Sequence, residues 1–300
     1  MAIPEAQLET WSHQGATVTS SATYGSIQAA LAAGASPIRE MDYESYLQGS
    51  YKNSTNIRGD SDVDVVVQLN STWGRDLSGL SPDQTRLYQA SYYNATYLWS
   101  DFRRDVLQAL RAYYGPTAVV EGDKSLKVLA GGGRLAADVI PALHFRKYCY
   151  FRSIQNQGYI DGIKFSNRRD NREITNFPKP HYENGVSKQA AGRTSSHYKP
   201  TVRVFKNART FLVGQGLLDE DVAPSYFVEC FLYNVPDAEY AGTLQQRFVS
   251  VWNWLWRSNA DTLLCQNGQQ TLFGNTPVQW RVDESRRLLE ALRGLWNNWR

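Results

Sequence analysis

Residues 49–64 read Gly-Ser-Tyr-Lys-Asn-Ser-Thr-Asn-Ile-Arg-Gly-Asp-Ser-Asp-Val-Asp. The turn-forming pair Gly49-Ser50 is followed, twelve residues after Ser50, by Asp62 and Asp64 with only Val63 between them. Val63 and Val65 to Val67 give this acidic segment the β-branched character of a strand. Successive strand side chains point to opposite faces, so Asp62 and Asp64 are expected on one side, able to grip a pair of divalent cations. Gly49 and Ser50 can offer backbone amides and a hydroxyl to phosphate oxygens. Taken singly, each feature is ordinary: Asp-x-Asp on a strand edge is commonly solvated surface, and Gly-Ser is a turn. In this order, ahead of a valine run, the carboxylates leave a buried strand and carry a charge that metal ions would offset. A phosphate cradle beside paired carboxylates is the equipment of metal-assisted nucleotidyl transfer.

Such chemistry calls for a third carboxylate, and the chain offers Asp138. Residues 124–129 read as a strand, Gly131-Gly132-Gly133 as a turn, and Arg134 to Ile140 as the returning strand. Asp138 lies between Ala137 and Val139 in an apolar stretch ended by Pro141, where a charge is inconsistent unless it has a task. It is the expected third metal ligand and the group to help deprotonate an attacking ribose hydroxyl. The reaction would be in-line attack on an α-phosphate with pyrophosphate leaving, two Mg²⁺ ions about 3.5–4 Å apart stabilising the entering and leaving oxygens.

Composition narrows the class. Three hundred residues suffice for two lobes, and 42% apolar residues with nine tryptophans indicate a well-packed globular protein. With 32 basic against 29 acidic residues the formal charge is +3. That near balance does not predict the many-phosphate grip on long nucleic acid and is compatible with a local basic site for a triphosphate. Cys149, Cys230 and Cys265 are widely spaced, as are His13, His144, His181 and His197, so no structural zinc site is expected. The first residues lack a basic segment followed by an apolar core, and no apolar run approaches the roughly 18–20 residues that cross a bilayer. A soluble cytoplasmic chain, monomeric by default, is expected.

Helices are expected over residues 17–33, Tyr97 to Tyr114, Thr201–Leu212, Ser225–Asn234, Leu244–Arg257 and Glu284–Trp299, from apolar residues at three- and four-residue spacing. The first core strand is expected at Tyr46–Gln48, residues 70–95 as a variable excursion, and 151–175 as a solvated loop or irregular hairpin. Pro178, Pro180, Gly185 and Gly192 interrupt regular structure, which places a lobe boundary near 175–195. Trp252, Trp254, Trp256, Trp296 and Trp299 are read as packing residues. On the helix after Pro200, Val204, Phe205, Ala208, Phe211 and Leu212 fall on one side and Lys199, Arg203, Lys206 and Arg209 on the opposite arc. That arc is either a solvated face or a border of the site.

Gly49-Ser50, Asp62-Val63-Asp64 and Asp138 resemble the signature of the DNA polymerase β nucleotidyltransferase superfamily. The segments 47–55, Phe177 to Gly185, Tyr198 to Thr201, Phe205 to Arg209 and Ala223 to Phe227 are similar to the bacterial cGAS/DncV-like nucleotidyltransferases (CD-NTases) of clade E, often called CdnE. The resemblance spans most of the chain. It implies an α+β bilobed enzyme: a catalytic core over residues 1–180, with a mixed β-sheet and an N-terminal spine helix, and a helical lobe over 181–300 closing a nucleotide cleft. It implies synthesis of a cyclic oligonucleotide messenger that activates a separate effector in anti-phage (CBASS) operons. Two Mg²⁺ ions, with Mn²⁺ as substitute, would serve the reaction. The animal DNA sensor cGAS carries a zinc-bearing insertion that has no counterpart here. Some relatives are conjugated through a terminal glycine; this chain ends Trp-Asn-Asn-Trp-Arg, so that regulation is not expected.

Carried over by motif, Gln48, Gly49, Ser50, Lys206 and Ser225, with Lys199, are implied to touch phosphate and Tyr226 to stack on a base; Pro224 marks the start of that last helix. Asn176, ahead of Phe177-Pro178, either caps a turn or reads the base edge, since its amide offers both donor and acceptor. In clade E an asparagine here goes with a pyrimidine nucleotide, which favours UTP and ATP as substrates and cyclic UMP–AMP as product. The alternatives are another cyclic di- or trinucleotide, transfer to an RNA, small-molecule or protein acceptor, or a catalytically dead nucleotide-binding scaffold. Retention of all three aspartates weighs against the last.

Overall fold

The computed structural model describes residues 2–15, 17–57, 62–276 and 278–299. The chain divides into two compact units: Thr17–Tyr51 with Asp60–Lys179, and Met1–Ala16 with Lys52–Gly59 and Pro180–Arg300.

The first unit is built on a mixed sheet of β1 (Tyr43–Leu47), β2 (Val63–Asp76), β3 (Val119–Glu121), β4 (Leu126–Val128), β5 (Ala137–Ser153), β6 (Asn156–Ser166) and β7 (Glu173–Asn176). The strand order is β1-β2-β5-β4-β3, with β6 on the later part of β5 and β7 on β6. Only β2 and β5 run parallel among the named pairs. Alternation sorts the strands cleanly. Val63, Val65, Val67 and Leu69 of β2, Ala137 and Val139 of β5, and Leu126 and Val128 of β4 pack with Ile27, Leu31, Phe102, Val106 and Leu110 of the helices Val18–Ala32 and Trp99–Tyr114. Intervening residues turn to the other face, where Val66, Ile140, Ala142, Ile163 and Phe165 form a smaller apolar cluster.

Three expectations need correction here, and a fourth, left open between two alternatives, is settled. β5 does not end at Pro141 but runs through it to Ser153. Pro141 pairs with Val67 of β2 at a point where β4 has stopped pairing, at Val139, and β6 has not begun, before Leu143. Its missing N–H therefore costs no ladder bond on that side. Residues 70–95 hold the end of β2 and the helix Pro82–Ser91, which Ser81 and Gln84 start with a reciprocal capping box. Residues 151–175 hold the end of β5, β6 and most of β7, so the hairpin alternative is the one realised. Pro178 and Pro180 do not break structure; they occupy the first turn of the helix Pro178–Gln189, where an absent N–H is harmless.

The second unit is helical: Glu5–Ser12, Tyr198–Gly214, Ser225–Tyr233, Leu244–Arg257 and Val282–Asn297 enclose a core of Val204, Phe205, Phe227, Phe231, Phe248, Leu288 and Leu292 among others. Trp252, Trp254, Trp256, Trp296 and Trp299 pack on this core, as read from the sequence. Among the described residues no helix is long and apolar enough to cross a membrane.

Candidate active site

The register of three strands builds the site in the sheet unit. Asp64 of β2 lies opposite Asp138 of β5, and Asp138 lies opposite Lys127 of β4. All three leave the face away from the two helices, because their neighbours Val63, Val65, Ala137, Val139, Leu126 and Val128 fill the helix-side core. Gln48, just beyond β1, joins the row: its N–H donates to the Asp64 carbonyl at 3.0 Å. The Gln48 Oε1 is buried with no hydrogen-bond partner among the described residues.

The electrostatics are strained. Burial, then the Asp138 charge, then that of Asp62 push the Asp64 carboxyl up to about 7. Asp62, immediately ahead of β2, accepts from Lys127 Nζ at 2.5 Å, and Asp138 Oδ1 accepts from Ser125 Oγ at 3.0 Å. Carboxylate oxygens are hard ligands that suit a divalent cation such as Mg²⁺. They do not stand as a finished cage: among the described residues no three Asp, Glu, His or Cys side chains form a ready metal-ligand group. Lys127 and Ser125 each engage one oxygen of Asp62 and Asp138 respectively. Sequence reading missed both. Alternation about the buried Leu126 was the signal that puts them on the carboxylate face.

Gly49 has a φ of +66°, and a Cβ there would run into the Asp64 carboxylate, its Cγ 3.2 Å away. The close approach of the Gly49-Ser50 backbone to Asp64 therefore requires glycine. Asn176 pairs with Ile163, which pairs with His144 of β5, so it shares the sheet face of Asp64 and Asp138. Its Oδ1 accepts from the Phe177 N–H at 2.9 Å, the local bond that a turn-capping asparagine makes.

In the helical unit, Ser225 is exposed at the first position of its helix, after Ala223, whose φ is +54°. Tyr226 stacks on His181 with centroids 4.9 Å apart and tilts against Trp280. Lys199 is half-buried over the Tyr182 ring, and burial lowers its pKa.

Of the two roles open to the polar arc of Tyr198–Gly214, a solvated face does not describe Arg203, Arg209 or Lys206. Arg203 donates to the Ser12 and Ser54 carbonyls, Arg209 to those of Val222 and Glu220, and Lys206 is only 2% exposed. The Lys206 ammonium is bound to Glu229 and Thr55, while Asn53, Thr55 and His181 complete the Glu229 carboxylate. Burial alone would raise the Glu229 pKa, but Lys206 and His181 hold it well below the usual carboxylate range. Lys206, expected to touch phosphate, has its ammonium engaged in a buried ion pair with Glu229 in this structure.

The chain as a whole is similar to known proteins. Residues 183–297 match the family model of the cGAS/DncV-like nucleotidyltransferase C-terminal helical domain. The chain is 48% identical, over all of its length and 99% of the relative, to a cyclic UMP-AMP synthase from Rhodothermus marinus. It is 38% identical, over the full length of both chains, to the cyclic nucleotide synthase CdnE01 of Staphylococcus haemolyticus. The solved structure of the Rhodothermus marinus CdnE c-UMP-AMP synthase with Apcpp and Upnpp is similar with a TM-score of 0.89, covering 99% of this chain and 97% of that one.

Proposed function

The chain belongs to the cGAS/DncV-like nucleotidyltransferases, the CD-NTases, and from that premise we propose that it joins UTP and ATP into cyclic UMP–AMP with release of pyrophosphate. The observation that carries the product is the full-length likeness to a relative named for that product. Asp62, Asp64 and Asp138 are the residues that would hold two Mg²⁺ ions, Mn²⁺ serving in their place. Bound there, the ions supply Lewis-acid stabilisation of charge on the entering and leaving oxygens. Asp138, which accepts from Ser125, is also assigned to help deprotonate the attacking ribose hydroxyl. Gly49 and Ser50 offer the N–H groups and hydroxyl that orient the triphosphate, and Gln48 Oε1 an acceptor that awaits a donor. Asn176 presents its amide to a base. In the helical unit Ser225 and Lys199 are assigned to phosphate and Tyr226 to a base. Two successive transfers, the second closing a linear intermediate, give the ring. The product would act on a separate effector in CBASS defence, and its triphosphate substrates place the reaction in the cytoplasm.

Incubation of the purified protein with Mg²⁺ or Mn²⁺ and nucleoside triphosphates tests this reading. A phosphatase-resistant product from UTP plus ATP, with no added acceptor, is the expected result. Dependence on an RNA, small-molecule or protein acceptor would replace it with an acceptor-modifying enzyme, and absence of any product with a nucleotide-binding scaffold. Asp62→Asn combined with Asp64→Asn should abolish turnover and leave the fold intact.

A further inference from the structure

Strand β4 is short, yet it delivers two polar side chains to the carboxylate face. Ser125, just ahead of it, and Lys127 flank Leu126, which is fully buried on the opposite face with Val128. The register with β5 fixes where they arrive: Lys127 opposite Asp138, one strand from Asp64. From there Nζ reaches Asp62 at 2.5 Å, while Ser125 Oγ reaches Asp138 at 3.0 Å. The lysine side chain is 41% exposed, so it has solvent to swing into. An Asp62 oxygen bound to an ammonium is not available to a metal ion, and two cations at one carboxylate repel each other. We propose that Lys127 is a built-in counter-ion, a positioning residue that holds Asp62 until a divalent cation displaces it and so sets the affinity of the carboxylate centre for that cation. The inference deepens the function proposed above and rests on its reading of the three aspartates as cation ligands.

The test is calorimetric titration of the nucleotide-free, EDTA-stripped full chain with MnCl₂. Lys127→Met should bind Mn²⁺ roughly fivefold tighter than the parent chain, the factor that a part-exposed ion pair of about 1 kcal/mol converts to. Lys127→Arg, which keeps the charge, should stay within about twofold. In thermal melts Lys127→Met should be less stable than the parent in EDTA and gain more from added Mn²⁺. Lys127→Gln gives the same comparison if the methionine variant does not fold. Unchanged or weaker Mn²⁺ affinity in Lys127→Met, beside parent binding that Asp62→Asn with Asp64→Asn removes, would overturn the counter-ion role alone. No Mn²⁺ binding by the parent, or equal binding by the double asparagine variant, would overturn the carboxylate centre and this role with it.

Discussion

Asp64 and Asp138 face each other directly across the parallel pair β2–β5, a like-charge pairing on the sheet face away from the helices. It follows from register alone: one-residue slippage would turn either carboxylate into the helix-side core. Burial first, then Asp138, then Asp62 raise the Asp64 pKa from 3.8 to about 7. A carboxyl shifted upward stabilises the fold fully below its unfolded pKa, and that contribution is lost as pH rises through the folded value. The metal-free protein should therefore weaken between about pH 4 and pH 7, by at most about 4 kcal/mol. Asp64→Asn should raise the melting temperature of the metal-free protein at pH 8 and flatten its pH profile, while ending turnover. A parent melting temperature that stays level from pH 5 to 8 in EDTA would contradict this.

Gly49→Ala tests the cradle. The added methyl meets the Asp64 carboxylate in a backbone region that disfavours side chains, at φ +66°. Displacement of a catalytic carboxylate by an ångström costs about a hundredfold in rate. We expect a loss of that order in kcat, with a stability cost of about 1–2 kcal/mol from the left-handed backbone. An alanine variant with parent-like kcat would show that Gly49 is only a turn.

The sheet centre and the long helices were legible because each carries its own period. Valine alternation on β2 and the triple-glycine turn before β5 announced the paired strands, and Leu244–Arg257 falls where its spacing put it. Legibility failed where a partner distant in sequence decides the outcome. Pro141 reads as a stop until the gap between the β4 and β6 pairings is known. Lys206 reads as a surface charge until Glu229 is found buried against it. A signal existed: Glu229 stands alone in the apolar run Phe227 to Leu232, just as Asp138 stands between Ala137 and Val139. Applied at both places, the same inconsistency argument would have identified a buried partner for one as well as a ligand for the other.

Asn176 lies on the carboxylate face with Oδ1 engaged by the Phe177 N–H, and its amide nitrogen is the group proposed to read a base. Asn176→Ser shortens the side chain and removes that nitrogen. Product analysis with all four triphosphates should show incorporation shifted from pyrimidine towards purine. Unchanged product ratios would leave Asn176 a turn cap and nothing more.

The last prediction separates a phosphate ligand from a structural cation. A lysine that met only phosphate would be replaceable at little cost to the fold, and its loss would appear as a raised KM. Lys206 is instead 2% exposed, its ammonium bound to Glu229 and Thr55. Removing one member of a buried pair strands the other charge, at about 3–5 kcal/mol. Lys206→Met should therefore lower the unfolding free energy by that much, and the urea midpoint with it. Pairing it with Glu229→Gln should recover part of the loss, since no buried charge is then left alone; Asn53, Thr55 and His181 can still bond to a neutral amide. Equilibrium urea unfolding of the two single variants and the double variant measures the coupling. If Lys206→Met keeps the parent midpoint and changes only the KM for triphosphate, the buried pair is not what holds this helix, and the phosphate assignment returns.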